Sequence, residues 1–167
     1  TSVDYRETAP AAATKDMFLD AQGNPDPKKS RDSGLAVGVP GTVAGLALAA
    51  RKYGSGRLSL ADLIAPAIDL AQNGFPVEDD LADSLPGARE RLKRWHSSQS
   101  IFFNGDQVLQ EGDRLLQFDL ADTLRAIAQE GPRGFYEGHV AEDIARAVRG
   151  AGGVMTADDL KNYRAIE

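Results

Sequence analysis

Apolar residues recur at helical spacing along much of this chain, and the pattern predicts a mainly α structure with about seven helices. The clearest apolar face lies in the helix predicted from residue 60 to residue 73, and it consists of Leu60, Leu63, Ile64, Ala67, Ile68 and Ala71. The other six helices are predicted at residues 10–18, 43–50, 79–95, 120–129, 140–148 and, as a single turn, 156–163. Alternating apolar and polar positions are few, so only short strands are expected, at residues 3–6 and 35–39.

Proline, glycine and polar residues predict where these helices are interrupted. Loops are expected at residues 20–34 and 96–100, where no apolar period is present. Pro66 should kink or split its helix, and Pro86 with Gly87 should interrupt the next one. The run at 43–50 is small and apolar on every side, which predicts a helix buried over most of its surface. Caps are expected from Thr42, Asp119 and Thr156.

Composition narrows the class of protein. The 167 residues are 42% apolar, enough for one domain with a core. The 25 acidic residues exceed the 19 basic ones, which argues against nucleic acid as a partner. No apolar run approaches the roughly 20 residues of a membrane span. The absence of cysteine excludes thiol chemistry and disulfides.

Candidate chemistry is sparse when residues alone are considered. His96 and His139 lie in polar segments without partners at metal-ligand spacing, and adjacent acidic pairs diverge by about 100° on a helix. No metal or cofactor is therefore expected. The turn at Gly41-Thr42 leads into a helix, but its spacing matches no nucleotide-binding fingerprint.

The opening stretch, Asp4-Tyr5-Arg6-Glu7-Thr8-Ala9-Pro10, carries the strongest candidate. Arg6 lies where a predicted strand passes into a predicted helix. Its guanidinium is permanently charged and offers a planar set of donors that suits a carboxylate. From the residues alone, a structural ion pair with Asp4 or Glu7 is the favoured interpretation, since most arginines near acidic residues are solvated surface groups.

Seven segments together resemble the large subunit of the gamma-glutamyltranspeptidase family, and the similarity extends over essentially all 167 residues. The segments are Asp4-Tyr5-Arg6-Glu7-Thr8-Ala9-Pro10, Met17-Phe18-Leu19-Asp20, Ala36-Val37-Gly38-Val39-Pro40-Gly41-Thr42-Val43-Ala44-Gly45, Asn73-Gly74-Phe75, Gly134-Phe135-Tyr136-Glu137-Gly138, Gly152-Gly153-Val154-Met155-Thr156 and Asp159-Leu160-Lys161-Asn162-Tyr163.

The resemblance implies a function and a fold. It implies an N-terminal-nucleophile hydrolase with an αββα sandwich, which cleaves gamma-glutamyl bonds of glutathione-like donors and passes the acyl group to water or to an amino acid or peptide. Arg6 then corresponds to the arginine that holds the donor α-carboxylate, and Asp4 and Glu7 become residues that orient it. No cofactor is implied.

The resemblance also implies that the catalytic threonine lies outside this chain, on a small subunit produced from the same precursor. Thr1 precedes the arginine motif and lacks the context of that nucleophile, and neither Thr42 nor Thr156 could have a free α-amine to act as base. We therefore expect a single large-subunit fragment, with residues 1–40 at the site and 41–167 in a helical layer. Alone, it should be inactive and expose apolar faces that its partner would cover.

Alternatives remain open on the sequence. Relatives in the superfamily act on cephalosporin side chains or on poly-gamma-glutamate, and a helical interaction module without chemistry would share the composition. The family implies a periplasmic or secreted parent protein, since its bacterial members are usually exported.

Overall fold

A computed structural model of the chain describes residues 2–167, and the residues it describes are mainly helical. Its α-helices are α1 (Pro27–Asp32), α2 (Thr42–Tyr53), α3 (Leu60–Asn73), α4 (Asp79–Leu92), α5 (His96–Phe102), α6 (Phe118–Glu130), α7 (Arg133–Tyr136), α8 (Gly138–Gly150) and α9 (Ala157–Lys161). A 3₁₀ helix spans Gly34–Ala36. The predicted mainly α class is confirmed.

The strands are two residues long and form three antiparallel pairs. They are β1 (Glu7–Thr8), β2 (Val39–Pro40), β3 (Phe75–Pro76), β4 (Phe103–Asn104), β5 (Gln107–Val108) and β6 (Arg114–Leu115). β1 pairs with β2, β3 with β6, and β4 with β5. Gly105 has a φ of 62° in the two-residue turn between β4 and β5.

The chain divides into two compact units. Unit 1 comprises the residues up to Ala61 together with Ala126–Glu167, and unit 2 is Asp62–Arg125. The core of unit 1 is formed by Val39, Tyr136, Ala141, Ala145, Val148, Met155, Leu160 and Tyr163. The core of unit 2 is formed by Val77, Leu85, Val108, Leu109 and Leu115. The four tyrosines of the chain all belong to unit 1, and its one tryptophan, Trp95, belongs to unit 2.

The predicted helix at residues 10–18 is wrong, because this segment forms successive turns. The Ala13 N–H donates to the Pro10 carbonyl at 2.9 Å and the Met17 N–H to the Thr14 carbonyl at 3.3 Å, three residues back rather than four. Most of this segment is exposed, and helices shorter than about 12 residues are marginally stable in water without tertiary packing or a cap.

The predicted loop at 20–34 contains α1, and most of the predicted strand at 35–39 is absent. Asp26 caps α1 by accepting from the N–H groups of Lys28 and Lys29 at 2.9 and 3.4 Å, and Pro27 occupies the first helical turn. α1 buries no residue, so local capping produces it rather than apolar periodicity. Of the predicted strand, only Val39 pairs as a strand, together with Pro40 in β2.

The prolines do not divide their helices as predicted. Pro66 lies within α3 and Pro86 within α4, and both helices are continuous. An internal proline costs a helix about 3 kcal/mol, and burial of neighbouring apolar residues can offset part of that cost. Leu85, which neighbours Pro86, is 4% exposed in the core of unit 2. The predicted loop at 96–100 is likewise wrong, since it forms the start of α5.

Two of the three predicted caps are wrong. Thr156 does cap α9, in a capping box with Asp159. Gly41, rather than Thr42, occupies the cap position of α2. α6 begins at Phe118, which places Asp119 inside its first turn.

Several apolar side chains are exposed on the helices. In α2 only Gly45 and Ala47 are buried and Leu46 is 54% exposed, so the predicted burial of this helix over most of its surface is wrong. Leu63 of α3 was predicted to face inward but is 50% exposed. Within residues 2–167, none of the helices combines the length and the apolar character needed to span a membrane.

Candidate functional site

The backbone around Arg6 is held by pairing on both sides. The Arg6 carbonyl accepts from the Gly41 N–H at 3.0 Å. On one side Glu7 pairs with Pro40 in the β1–β2 ladder, and on the other Asp4 exchanges backbone hydrogen bonds of 2.8 and 2.9 Å with Ile166. The predicted strand at 3–6 is therefore displaced, with β1 at residues 7–8. The backbone of Arg6 is thus held on both sides by pairing with distant parts of unit 1.

The Arg6 guanidinium is directed into solvent, with its side chain 88% exposed. Among residues 2–167, its ion-pair partner is Glu7, whose Oε2 lies 3.2 Å from Arg6 Nε. This contact engages the Nε edge. The two terminal nitrogens are the groups that can grip a planar carboxylate through parallel N–H bonds.

Asp4 contacts the backbone of Arg6 rather than its guanidinium, since its Oδ1 accepts from the Arg6 N–H at 3.4 Å. The charges of Asp4 and Glu7 also reach the buried phenol of Tyr163. Burial raises the pKa of Tyr163, and these two carboxylates raise it further. The phenol therefore stays protonated beside an acidic pair.

Tyr136 holds the turn that binds Arg6. Its hydroxyl donates to the Pro40 carbonyl at 2.9 Å and accepts from the Ala44 N–H at 3.2 Å. Its ring stacks on Tyr163, with 5.8 Å between centroids and planes 5° apart. The ring is 6% exposed, and its burial raises the pKa of Tyr136. A neutral hydroxyl thus spans the turn into α2.

Glycine is required where this turn meets residues 4–10, which we call the arginine segment. A Cβ on Gly41 would lie 1.9 Å from the Tyr163 hydroxyl oxygen and 2.2 Å from the Tyr5 carbonyl oxygen. A Cβ on Gly45 would lie 2.1 Å from Cγ of the Tyr5 ring. The residue before Arg6 therefore packs directly on the first turns of α2.

Asp159 links Ala11, the residue that follows the arginine segment, to the start of α9. Its Oδ1 accepts from the Ala11 N–H at 2.8 Å, and its Oδ2 accepts from the N–H and hydroxyl of Thr156 at 2.8 and 2.7 Å. Burial opposes ionisation of this carboxyl, but these hydrogen bonds outweigh it and hold the pKa of Asp159 below its usual value.

Comparison with known proteins identifies the family. The family model for gamma-glutamyltranspeptidase matches residues 1–167. The chain belongs to the gamma-glutamyltranspeptidase family. This membership confirms the resemblance found in the sequence.

Comparison with individual proteins agrees with this family assignment. The chain is 49% identical to the glutathione hydrolase proenzyme of Escherichia coli, over 100% of this chain and 29% of that protein. A solved gamma-glutamyltranspeptidase from Helicobacter pylori superposes with a TM-score of 0.93 at 48% identity, over 98% of this chain and 47% of that one. A cephalosporin acylase from Bacillus halodurans gives a TM-score of 0.80 at 28% identity, over 98% of this chain and 31% of that one. The chain thus spans less than a third of its curated relative.

Three of the segments that resemble the gamma-glutamyltranspeptidase family contact residues 4–11 in unit 1, directly or, for Tyr136, through the Pro40 carbonyl. They are the segments that contain Pro40 and Gly41, Tyr136, and Asp159 with Tyr163. From the sequence alone, Tyr136 has no predicted role, and Asp159 and Tyr163 are predicted only as parts of the capped turn at residues 156–163. Membership of segments that resemble the family is the sequence signal that all three residues share.

The other candidate residues lie apart from Arg6 or outside the description. Thr1 falls outside the described residues. Thr42 is the first residue of α2, and the Thr156 hydroxyl is engaged in the α9 cap. His96 and His139 are exposed at the starts of α5 and α8. Residues 2–167 bring no three acidic or histidine side chains together as a metal site.

A cleft of about 320 Å³ lies on unit 1, beside the paired tyrosines. Its charged lining residues are Arg51, Arg133, Glu137, Lys161 and Arg164. Arg6 is not part of this lining, and its side chain is exposed to solvent.

Proposed function

We propose that Arg6 holds the α-carboxylate of a gamma-glutamyl donor in an enzyme that transfers the gamma-glutamyl group to water or to an amino acid or peptide. The observation that carries this proposal is the combination of a fixed backbone with an exposed guanidinium. Preorganised donors lose little freedom when the ligand binds, so the backbone bonds of Arg6 favour binding. In the whole protein, residues 1–40 would lie at the site and residues 41–167 would form a helical layer.

The chemistry of the guanidinium fits this role. A carboxylate presents two oxygens in one plane, and a guanidinium can donate two parallel N–H bonds to them. Glu7 lies at the Nε edge, so it would orient the fork while leaving its terminal nitrogens to the donor. Asp4 would act one step further away, through the backbone N–H of Arg6.

The reacting group is proposed to lie elsewhere in the parent protein. An N-terminal threonine, whose hydroxyl attacks and whose free amine acts as base, would be supplied by a small subunit from the same precursor. The Escherichia coli relative is named a proenzyme, which supports this arrangement. The exposed Leu46, Leu63 and Leu70 offer apolar surface that the remaining polypeptide could cover. Export to the periplasm, or secretion, is proposed for the parent on family grounds.

Replacing Arg6 tests the proposal in the full-length protein. A charge-assisted hydrogen bond contributes about 1.5–3 kcal/mol, so Arg6→Ala should raise KM for a gamma-glutamyl anilide by about 10- to 150-fold. Arg6→Lys should recover only part of this loss, because lysine keeps the charge but not the fork. The matched control is Arg149→Ala, an exposed arginine near the end of α8 in the same unit. An unchanged KM for Arg6→Ala would remove Arg6 from the site.

The purified chain of residues 1–167 should show no turnover of the same anilide, because the proposed nucleophile is absent from it. Release of the chromogenic amine by this chain, abolished when Thr1 is replaced, would assign the nucleophile to Thr1 instead.

The similarity to cephalosporin acylase supports a second candidate, in which the acyl group comes from a cephalosporin side chain. The higher identity and TM-score of the Helicobacter pylori protein favour gamma-glutamyl transfer. Kinetics of the full-length protein with gamma-glutamyl, poly-gamma-glutamyl and cephalosporin donors would separate these activities. A non-catalytic helical module would turn over none of them.

A further inference from the structure

We propose that Tyr136 is a positioning residue for Arg6, acting through the turn that joins β2 to α2. The inference rests on the proposed function, because it concerns how the arginine is placed for the donor carboxylate. Tyr136 itself lies in the core of unit 1 and is 6% exposed, and its hydroxyl bonds to the backbone of the turn.

The hydroxyl of Tyr136 spans the turn on both sides of Gly41. It donates to the Pro40 carbonyl at 2.9 Å, one residue before Gly41, and accepts from the Ala44 N–H at 3.2 Å, three residues after it. Both bonding capacities of the hydroxyl are thus used within the turn. The ring cannot easily turn away, because it stacks on Tyr163 and meets Phe135 edge-on at 5.0 Å.

The turn passes this constraint directly to Arg6. Pro40, whose carbonyl Tyr136 binds, pairs with Glu7, and the next N–H, that of Gly41, donates to the Arg6 carbonyl at 3.0 Å. Every link from the Tyr136 hydroxyl to Arg6 is therefore a backbone group or a short hydrogen bond. A shift of the turn would move the base of the Arg6 side chain with it.

The turn has little room to move without disturbing Tyr5 and Arg6. The space where a Cβ would stand on Gly41 is occupied by the Tyr163 hydroxyl and the Tyr5 carbonyl. Atoms packed this closely transmit displacement rather than absorb it. Loss of the Tyr136 hydroxyl should therefore loosen the position of Arg6, with the fold and the ring stack retained.

The test is Tyr136→Phe in the full-length protein, assayed with a gamma-glutamyl anilide. We expect KM to rise about 3- to 30-fold while kcat changes less than about twofold, as when a ground-state binding contact is weakened. The matched control is Tyr53→Phe, which also removes a hydroxyl bonded within unit 1, to the Glu167 carboxylate, but leaves the turn untouched. This control should leave KM unchanged.

A double variant separates positioning from general stability. In an Arg6→Ala background, Tyr136→Phe should raise KM no further, because the group that it positions is gone. A purely structural tyrosine would lower kcat through a smaller active fraction and would act equally in both backgrounds. Either result would overturn the inference.

Arg6→Ala tests the proposed function, and its result is independent of the result for Tyr136→Phe. If Arg6→Ala raises KM and Tyr136→Phe does not, the positioning inference fails and the proposed function stands. If Arg6→Ala leaves KM unchanged, both fail. Should Tyr136→Phe not accumulate, Gly41→Ala replaces it, with Gly150→Ala as its control because no atom lies within 4 Å of a Cβ there. A KM unchanged by Gly41→Ala would also overturn the inference.

Discussion

Removal of the Asp159 carboxylate should release the segment that follows Arg6. In Asp159→Ala, the Ala11 N–H loses its acceptor at 2.8 Å and the α9 cap loses two bonds from Thr156. The substitution therefore removes a hydrogen bond that links residues 10–18 to α9, two elements of unit 1 that are distant in sequence.

The magnitude follows from these bonds. The α9 cap keeps the bond from the residue-159 N–H to Thr156 Oγ1 but loses the bond from the Thr156 N–H to Asp159, which costs about 1 kcal/mol. Loss of a hydrogen bond to a charged acceptor costs about 1.5 kcal/mol at the lower end of its range, which suits a half-buried carboxylate. Together they destabilise this contact by about 2.5 kcal/mol. Asp159→Asn, which keeps the shape and loses the charge, should cost roughly half as much.

Hydrogen exchange of the Ala11 amide measures this effect locally. Amide protection reports the free energy of local opening, so Asp159→Ala should speed exchange at Ala11 by up to about 70-fold. Asp158→Ala is the matched control, since Asp158 is the exposed neighbour in the same helical turn. It should alter exchange at Ala11 by less than about fivefold, the size of a helix-dipole effect.

The pH dependence provides a second check. The pKa of Asp159 is lower in the folded chain than its ordinary value of 3.8, so its stabilising effect is complete above that value. The effect is lost as the pH falls through the lower folded pKa. The difference between the native chain and Asp159→Asn should therefore be constant near neutral pH and shrink below about pH 4. A difference that persisted undiminished at low pH, or equal protection in Asp159→Ala and Asp158→Ala, would refute the assigned contact.

Two further substitutions test the packing of unit 1. Leu160→Ala, at a fully buried site, should lower the free energy of unfolding by about 2–5 kcal/mol in chemical denaturation, whereas Leu58→Ala, at 60% exposure, should change it by less than about 0.5 kcal/mol. Gly45→Ala should displace the Tyr5 ring and raise KM for the donor in the full-length protein; Gly150→Ala, where a Cβ has open space, should not, and equal kinetics in both would contradict the contact at Gly45.

Apolar periodicity predicted the long helices because those helices are amphipathic. α8 matches its predicted span within two residues at either end and buries Val140, Ala145 and Val148. Apolar periodicity did not predict the two short helices α1 and α5, which have too few turns to show a repeating apolar pattern. α1 depends on the Asp26 cap, and the start of α5 depends on the apolar anchors Ile101 and Phe102 that follow it.

Proline was predicted to interrupt α3 and α4, yet neither helix ends there. Pro66 and Pro86 each remove one helical hydrogen bond, and in α4 burial of the adjacent Leu85 in the core of unit 2 offsets part of that cost. The opposite error occurred at residues 10–18, where alanines favour a helix but the segment is mostly exposed and forms turns.

The candidate arginine was predictable from its motif, whereas its surroundings were not. Arg6 is identified by a contiguous sequence, but the residues that hold its backbone lie 35 to 160 positions away along the chain, at Gly41, Tyr136 and Ile166. Long-range hydrogen bonds of this kind leave no periodic signature in the sequence. The roles of Tyr136 and Asp159 therefore became visible only in the structure.

The division of aromatic residues between the two units gives each unit its own optical reporter. Trp95 is 47% exposed in unit 2, so its emission should report unfolding of that unit alone. The stacked Tyr136 and Tyr163 rings in unit 1 should give a near-ultraviolet circular dichroism signal that disappears when their core separates. Denaturation of the chain followed at both signals would reveal whether the units melt together or in sequence, without any added label.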